Sequence, residues 1–404
     1  MKFAFIIDDY LPHSTRVGAK MFHELAQEFI QRGHSVTVIT PDANLQHALQ
    51  EDMLEGVTVW RFRTGPIKDI SHIQRAVNES LLSVRAWRAV RHKIKANSFD
   101  GVVYYSPSVF WGYLVRKIKQ RCACKSYLIL RDFFPQWAID AGMIKQGSLT
   151  EKYFRHFEKS LYDEASDIGL MSENNLRLFM QHNPHRKAGV LRNWASIEPA
   201  RAGDSGYNSI INASGLQNKT VFFYGGNIGH AQDMANLMRL VRSMQAFPQA
   251  HFLFVGQGDE VTLINRLAQE WALTNFTYLP SVDQKTFKYL LTEVDVGLFS
   301  LAANHTSHNF PGKLLGYMVQ SIPILGSVNK GNDLADIVNA NKAGTIFING
   351  EDERLLQAAI NFTQDETLRK EMGAAAYQLL LDQFSVGAAA GQIENAFGVN
   401  NESH

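Results

Sequence analysis

The chain has 404 residues, 45% of them hydrophobic, and this length exceeds what one hydrophobic core serves. We therefore expect two domains of about 200 residues each. No apolar stretch reaches the roughly 18 residues that a membrane-spanning helix requires, and the N-terminus enters a strand without a basic leader, so a cytoplasmic protein is expected. The two cysteines, Cys122 and Cys124, are too few for a zinc site and are predicted to be reduced thiols.

The net charge of +1 hides an asymmetry between the two halves of the chain. Residues 1–200 contain 27 Lys and Arg against 20 Asp and Glu, whereas the remainder contains 13 against 19. Much of the basic excess lies in two predicted helical segments, at 85–95 and 116–125. A solvated helix packed on its own sheet explains this pattern. The alternative is that the N-terminal half rests against an anionic membrane surface.

The first half alternates between strand and helix patterns. Strand KFAFIID leads through a loop with Gly18 and an amphipathic helix to strand HSVTVIT. Strand GVTVWRFR, a helical region at 70–97, strand FDGVVYY, a helix at 106–122 and strand KSYLILRDFF follow, with further elements to AGVLRN. Repeated βαβ units predict a doubly wound parallel sheet in a domain that spans residues 1–198.

The second half begins with a linker rich in small and polar residues and then repeats the same layout. Strand TVFFYGG, a helix to about residue 246 and strand HFLFVG open it, and strands and helices alternate to GTIFI. A second doubly wound domain is predicted over 199–385, and 386–404 is predicted as a helix that crosses back to the first domain. Two such domains that face each other across a cleft point to nucleotide chemistry.

A glycine-rich turn follows the first strand of the second domain and carries Gly225, Gly226, Asn227 and Gly229. Glycine lets the backbone approach a ligand, and the free N–H groups of a helix N-terminus favour phosphate oxygens. The spacing differs from G-x-G-x-x-G, and no acidic residue follows where a ribose site needs one. The alternative is a turn required only for close packing of helix and strand.

A lysine, Lys313, occupies the first turn of a predicted helix, just after a loop that contains Asn309. A cation there opposes the helix dipole, which favours anions at that end. A bound pyrophosphate would offset this cost. A lysine that faces solvent is the alternative.

Two charged residues, Arg131 and Asp132, end a buried strand, where the carboxyl ends of parallel strands bind ligands. Asp132 is a candidate general base for an acceptor hydroxyl, and Arg131 is a candidate for binding anionic oxygens. A salt bridge between the two is the alternative. His13, Arg16 and Gly18, in the loop after the first strand, are candidates for the acceptor side.

No metal or other cofactor is expected. The adjacent acids Asp8 and Asp9 point to opposite faces of the chain, because successive strand residues alternate.

Five motifs occur in the order that is typical of GT-B glycosyltransferases of family 4, and the chain resembles this family over nearly its whole length. They are QRGHSVTVITP, YGGNIG, FLFVGQGDE, VDVGLFSL and GKLLGYMVQSIPIL. The variants HNFPGKLLGYM and RDFFPQWAIDAG are similar to N-acetyl-L-fucosamine transferases of bacterial O-antigen and capsule assembly. The resemblance implies two Rossmann-like domains, a UDP-linked deoxy amino sugar as donor and a polyprenyl-pyrophosphate-linked sugar as acceptor.

The resemblance also implies positions for the donor. Gly225 and Gly226 would lie on its pyrophosphate with Lys313 beside it, and the loop from Leu279 to Val282 would receive the nucleobase.

Two departures from the family pattern concern acidic and basic groups. The usual glutamate pair corresponds here to His308 and Gly316, so ribose recognition must come from elsewhere. The usual strand-end histidine is also absent, and Arg131 with Asp132 stands near its place. The sequence leaves inversion or retention at the transferred sugar open.

The sequence therefore predicts a cytoplasmic glycosyltransferase on the inner face of the plasma membrane, associated peripherally with anionic lipid and without a nucleic-acid partner. A UDP-sugar epimerase of the same architecture and a non-catalytic nucleotide-sugar binding protein are the alternatives. A dehydrogenase is less consistent with the imperfect glycine pattern and the missing ribose acid.

Overall fold

The structure is a computed structural model that describes residues 1–12, 14, 16–66, 78–106, 108–140, 142–200, 207–304 and 312–399. The chain forms two compact units. The first unit comprises Met1–Trp194 and the described residues from Val386 onwards, and the second comprises Ala195–Ser385. Each unit has a sheet with a hydrophobic cluster on either face. The predicted α/β class with two Rossmann-like domains is confirmed.

The sheet of the first unit has eight strands. They are β1 Lys2–Ile6, β2 Ser35–Asp42, β3 Leu49–Leu54, β4 Val57–Arg63, β5 Gly101–Ser106, β6 Lys125–Leu130, β7 Asp167–Leu170 and β8 Ala188–Val190. Their order is β3-β4-β2-β1-β5-β6-β7-β8, and only β3 and β4 pair antiparallel. The direction of winding reverses between β1 and β5, so their carboxyl ends form the switch point where such sheets bind ligands.

The helices of the first unit cover both faces of this sheet. In chain order they are α1 Val17–Gln31, α2 Leu82–Val90, α3 Gly112–Cys122, α4 Gln136–Asp140, α5 Leu149–Asp163 and α6 Glu173–His182. Helix α1 packs Phe29 edge-on against Phe3 and Phe5 of β1, with ring centroids 4.9 and 5.3 Å apart. This contact anchors the helix that follows the β1 loop.

The second unit has a six-stranded parallel sheet. Its strands are β9 Thr220–Asn227, β10 Ala250–Gln257, β11 Phe276–Leu279, β12 Val296–Ser300, β13 Ile324–Val328 and β14 Gly344–Ile348. Its helices are α7 Ile210–Ala213, α8 Met234–Ser243, α9 Val261–Glu270, α10 Gln284–Leu290, α11 Gly312–Val319, α12 Asp333–Ala340, α13 Asp352–Gln364 and α14 Glu366–Gln383. The strand order β11-β10-β9-β12-β13-β14 places the switch point between β9 and β12.

The final helix, α15 Val386–Phe397, packs within the first unit. Ala390 and Ile393 are fully buried in the same cluster as β1. The Glu394 carboxylate, 2% exposed, lies 2.7 Å from the Arg32 guanidinium and 2.7 Å from His34 Nε2. Helix α15 is therefore part of the first unit, although it follows the second unit in the chain.

Three details differ from the sequence-based expectation. Strand β3 was not predicted, because its central residues Gln50–Asp52 are polar and an exposed edge strand carries no apolar alternation. Helix α2 ends at Val90 rather than at residue 97, and residues 70–77 of the predicted helical region lie outside the described residues. The first unit closes at Trp194, slightly before the expected boundary at 198. Among the described residues, no helix is both long and apolar enough to cross a membrane.

Candidate active site

The switch point of the second unit brings the end of β9 close to the helix that follows β12. Gly225 and Gly226 are among the last residues of strand β9, and Lys313 lies in the first turn of α11, the next described helix after β12. The Lys313 Nζ atom donates a hydrogen bond to the Tyr224 hydroxyl at 2.8 Å. The amine also lies 3.9 Å from the Tyr224 ring centroid and 6.0 Å from that of Phe299. Lysine and glycines therefore meet at the edge where ligands bind.

The Lys313 amine is surrounded by aromatic rings, and the described residues offer it no carboxylate within ion-pair distance. Burial lowers the pKa of Lys313 to about 7, because a low-dielectric environment disfavours the charged form. Only one of its three N–H groups is used by Tyr224. An anion bound here would accept the remaining hydrogen bonds and stabilise the positive charge.

Close backbone approach explains why the ends of β9 and β10 carry glycine. A Cβ on Gly256 would come 1.8 Å from the Gly226 carbonyl oxygen, which no side chain tolerates. Gly226 has a φ of 110°, and a Cβ there would lie 3.8 Å from Lys313 Nζ. The backbones of β9 and β10 therefore approach each other without intervening side chains, and the Lys313 amine lies beside the Gly226 backbone.

The expected phosphate site at a helix N-terminus is not formed as predicted. Strand β9 continues through Asn227, a 3-10 turn spans His230–Gln232, and α8 begins only at Met234. Asp233 caps that helix, and its Oδ1 accepts a hydrogen bond from the Asn236 N–H at 3.3 Å. The carboxylate already occupies the position that an anion would take. Lys313 and the strand-end backbone, rather than the α8 terminus, are therefore the candidate groups for binding an anion.

The turn residues make contacts among themselves. The Asn227 side-chain amide donates to Gln232 Oε1 at 3.0 Å, and the Asn227 carbonyl accepts from the Tyr224 hydroxyl at 2.6 Å. A Cβ on Gly229 would meet Asn227 Nδ2 at 2.8 Å and Asp259 Oδ1 at 2.9 Å. The turn is therefore tightly closed around small side chains.

Sequence reasoning missed a cluster beside this turn. His230 Nδ1 lies 2.5 Å from Glu260 Oε1, and His230 Nε2 lies 3.4 Å from Asp259 Oδ2. The imidazole itself is exposed. The acidic pair in FLFVGQGDE, at the carboxyl end of β10, was the signal that acidic groups reach this edge.

The predicted nucleobase residues lie at the end of β11. Leu279 is the last residue of that strand and Val282 follows in the loop, and both pack partly buried against the hydrophobic cluster of the second unit. Residues that follow this loop in the chain line a cavity of about 840 Å³. They are Gln284, Lys285, Lys288 and Tyr289, together with residues 198–200. None of these lining residues was predicted.

One of the two positions where the family pattern carries a glutamate is Gly316 in α11. A Cβ there would make an ordinary contact with Leu291 Cδ1 at 3.4 Å. The position is half-buried and carries no carboxylate in this chain. The other position, His308, and the predicted donor residue Asn309 lie outside the described residues.

The acceptor-side candidates lie around the switch point of the first unit. Asp132 follows strand β6 and its side chain is exposed to solvent. Partial desolvation of the carboxylate by the surrounding protein raises the pKa of Asp132, and the positive charge of Arg131 opposes that shift. Asp8, just after β1, and Asp132 both act electrostatically on the half-buried Tyr105 of β5. The carboxyl ends of three neighbouring strands therefore bring acidic and phenolic groups together.

Arg131 and Asp132 do not form the predicted alternative salt bridge, since the Arg131 side chain is buried and that of Asp132 is exposed. Arg131 is 7% exposed, and its guanidinium donates to the Leu191 carbonyl at 2.5 Å. It also lies 5.6 Å from the Trp194 ring centroid. Burial lowers the pKa of Arg131 to about 10, so it stays charged at neutral pH. The expectation that Arg131 binds substrate oxygens is not supported, and Arg131 instead anchors the chain after β8.

The loop after β1 differs from expectation at Gly18. This glycine is the second residue of α1, not a loop residue, and a Cβ there would lie 3.4 Å from the Tyr105 hydroxyl. Arg16 is the residue before the helix, and its Nε lies 3.6 Å from Asp9 Oδ2. His13 lies outside the described residues.

The basic faces of the first unit are largely engaged in local contacts. Arg85 donates to Thr64 and Asn78, and Lys93 pairs with Glu51. Arg121 donates to backbone carbonyls of the 91–94 turn. These contacts fit a helix packed on its own sheet. Within the described part of the chain, no group of three or more His, Cys, Asp or Glu side chains could hold a metal ion.

Comparison with known proteins gives the class of this fold. Residues 208–379 match the family model described as Glycosyl transferases group 1. The structure of HepE from Anabaena in complex with UDP superposes with a TM-score of 0.65 at 13% identity, and the match covers 99% of this chain and 100% of that one. The segment 208–379 contains β9, β12 and Lys313, so the candidate anion site lies within the matched domain.

Two curated proteins are similar in sequence. The probable glycosyltransferase WbjE of Pseudomonas aeruginosa is 24% identical over 54% of this chain, and the match spans about half, 55%, of WbjE. The putative colanic acid biosynthesis glycosyl transferase WcaI of Escherichia coli K12 is 23% identical, with 76% of this chain and 78% of WcaI covered. The family match and both relatives support a glycosyltransferase.

Proposed function

We propose that this protein is a glycosyltransferase that moves a sugar from a UDP donor to a polyprenyl-pyrophosphate-linked sugar in the assembly of a surface polysaccharide. The observation that carries the proposal is Lys313, a cation held against the Tyr224 ring at a switch point without a carboxylate partner among the described residues. The similarity to HepE, whose structure contains UDP, supports a UDP-linked donor. The relation to WcaI, named for colanic acid biosynthesis, supports polysaccharide assembly.

In this proposal the donor diphosphate lies against the Gly225–Gly226 backbone and Lys313. As the bond between the sugar and UDP breaks, negative charge grows on the leaving phosphate, and the lysine stabilises it. This stabilisation requires no metal.

In this proposal the first unit binds the acceptor sugar, whose own hydroxyl attacks, and supplies the base. Asp132 is exposed at the end of β6, and its pKa is raised, so it can take the proton of the attacking hydroxyl as the new bond to the sugar forms. Arg131 acts as a structural support beneath it. The stereochemical course is left open by these residues.

The sugar is proposed to be N-acetyl-L-fucosamine, on the resemblance of HNFPGKLLGYM and RDFFPQWAIDAG alone. The protein is proposed to act in the cytoplasm at the inner face of the plasma membrane, because a polyprenyl-linked acceptor stays in the bilayer. This association is peripheral.

The test is mass spectrometry of reactions with a GlcNAc-pyrophosphoryl-lipid acceptor and either UDP-N-acetyl-L-fucosamine or UDP-GlcNAc, without added metal. A product from the deoxysugar donor alone supports both transfer and donor, and NMR of that product gives the stereochemistry. Donor conversion without acceptor would favour the epimerase. UDP binding with no turnover on any acceptor would favour a non-catalytic nucleotide-sugar binding protein, for which the replacement of the usual glutamate pair by His308 and Gly316 is the supporting observation.

A further inference from the structure

Exposed apolar side chains concentrate in one short segment of the first unit. Among the described residues, eleven large hydrophobic side chains are exposed, and four of them lie between residues 137 and 153. These four, here called the apolar surface, are Trp137 at 47%, Met143 at 67%, Leu149 at 83% and Tyr153 at 41% exposure. Isolated exposed apolar residues need no explanation, but a cluster marks an interaction site.

A chain of aromatic contacts connects Trp137 with Tyr153. The Trp137 ring lies 5.9 Å from that of Phe134, which lies 4.7 Å from Phe154, and Phe154 lies 5.3 Å from Tyr153. The backbone N–H of Met143 bonds to the Ala138 carbonyl at 2.9 Å, which folds that loop back on α4.

Leu149 and Tyr153 are four residues apart in α5 and therefore share a helix face. The apolar surface thus extends from α4 across the connecting loop to the first turns of α5.

The residue types suit the interface of a lipid bilayer. Tryptophan and tyrosine combine an apolar ring with a polar edge and are enriched at the level of the lipid headgroups. Met143 and Leu149 are aliphatic and more exposed, so they are placed to enter the acyl boundary. The rings of Phe134 and Phe154 connect Trp137 with Tyr153.

The charge around the apolar surface is complementary to anionic lipid. Lys145 and Lys152 are exposed and have no ion-pair partner among the described residues. Of the nearby acids, Glu151 lies 3.5 Å from Arg155 Nε and accepts the Gly147 N–H at 2.6 Å. Asp140 accepts a hydrogen bond from the neutral Gln136 amide at 2.8 Å and keeps its charge. The two lysines therefore exceed this carboxylate by one positive charge beside the aromatic residues.

The basic helix α2 is a weaker candidate for the same role. Its apolar residues Leu82, Ala86 and Val90 are buried in the core of the unit, and Arg85 is bonded to neighbouring side chains. This helix therefore has no exposed apolar residue flanked by free cations, which interfacial binding requires.

We propose that the apolar surface formed by Trp137, Met143, Leu149 and Tyr153, with Lys145 and Lys152, is where this protein inserts into the interface of an anionic phospholipid bilayer. Asp132 lies five residues before Trp137 in the chain, and the ring of Phe134, between them, lies 5.9 Å from the Trp137 ring. Insertion there brings the lipid-linked acceptor of the proposed function close to its base. That last step rests on the proposed function, whereas membrane binding does not.

The test is co-sedimentation of the full chain with vesicles of phosphatidylcholine alone or with added phosphatidylglycerol, in the absence of donor and acceptor. Wild-type protein is expected to bind the vesicles that contain phosphatidylglycerol. Leu149→Glu is expected to lower the partition constant about tenfold, because it replaces an inserted side chain by a charge that anionic lipid repels. Lys145→Glu with Lys152→Glu should lower binding to the anionic vesicles only.

Leu178→Glu is the matched control, since Leu178 is an exposed leucine, 44% accessible, on helix α6 of the same unit. It should leave the partition constant within about twofold of wild type, because it adds the same charge outside the apolar surface. Wild-type protein that binds neither vesicle, or equal effects of Leu149→Glu and Leu178→Glu, would overturn the proposal.

Light scattering separates lipid from self-association. A dimer that Leu149→Glu converts to a monomer, with vesicle binding unchanged, would assign the surface to a second copy of the chain and also overturn the proposal. Transfer to a water-soluble acceptor, measured in the same variants, reports on the proposed function independently. Loss of vesicle binding with that transfer intact would support the docking surface.

Discussion

At the residue scale, the two neighbours Arg131 and Asp132 show how strand alternation divides roles. The arginine points into the unit and bonds to the Leu191 carbonyl, whereas the aspartate is exposed at the sheet edge. The sequence placed both at the right edge of the sheet. It could not say which of the two faces the interior, because both residues carry a full charge.

Asp132→Asn is expected to lower the transfer rate at least about a hundredfold, since the amide has a similar shape but cannot take the acceptor proton. UDP affinity, measured by titration calorimetry, should remain at the wild-type value because the nucleotide is proposed to bind the other unit. Near-normal transfer by the variant would remove Asp132 from the mechanism.

Lys313 gives a pH-dependent prediction. Its pKa of about 7 in the free protein means that the amine loses its proton as pH rises through that value, and a bound diphosphate raises the pKa again. UDP binding therefore takes up a proton above pH 7, and the Kd should rise with pH, by up to about tenfold per unit. Calorimetry between pH 7 and pH 9 measures this slope.

Lys313→Arg is the control, because a guanidinium stays protonated over this range. Its Kd for UDP should be nearly independent of pH. Lys313→Met should bind UDP weakly at every pH. A wild-type slope that persists in the arginine variant would assign the titration to another group.

At the element scale, the close approach of β9 and β10 depends on Gly256. We expect Gly256→Ala to destabilise the second unit strongly, because its Cβ would lie 1.8 Å from the Gly226 carbonyl and must push the strands apart. Thermal unfolding and UDP affinity should both be impaired. Gly189→Ala is the control, since nothing lies within 4 Å of the added Cβ in that strand. Equal melting temperatures of the two variants would contradict this account.

The attachment of α15 depends on one buried carboxylate. Glu394→Gln removes the negative charge that lies 2.7 Å from Arg32 and from His34. We expect the free energy of unfolding of the first unit to fall by about 2–4 kcal/mol. Hydrogen exchange should accelerate in Val386–Phe397. Glu366→Gln, which removes only an exposed i,i+4 pair with Lys370, should change nothing measurable. Unchanged exchange in α15 would show that apolar packing alone holds this helix.

At the scale of the whole molecule, the first unit is built from two separate stretches of the chain, because helix α15 follows the second unit in sequence but belongs to the first. A chain that ends at Ser385 should keep UDP binding, since Lys313 and β9 lie in the second unit. The first unit loses the buried Ala390 and Ile393 and should unfold at a lower temperature. Calorimetry with and without UDP distinguishes the two transitions, because UDP stabilises only the unit that binds it. Loss of UDP binding would show that α15 is needed by both units.

The sequence by itself determined the two doubly wound units and most of their elements. Apolar runs at strand length, such as FFYGG and YLIL, alternate with amphipathic helices, and this pattern is local and therefore readable. It also placed Gly225, Gly226 and Asp132 near strand ends and Lys313 in the first turn of a helix. The polar edge strand β3 was not predicted, because its stability comes from pairing with β4 rather than from its own residues.

Only the tertiary structure decided which partners these residues meet. The strand orders that create the switch points, the Tyr224 ring under Lys313, the buried orientation of Arg131 and the return of α15 all join segments far apart in the chain. Such contacts depend on how helices and strands pack, and packing is decided by the shape of the whole core. Charge and spacing in the sequence give the chemistry that is available, and the fold selects which groups are free to use it.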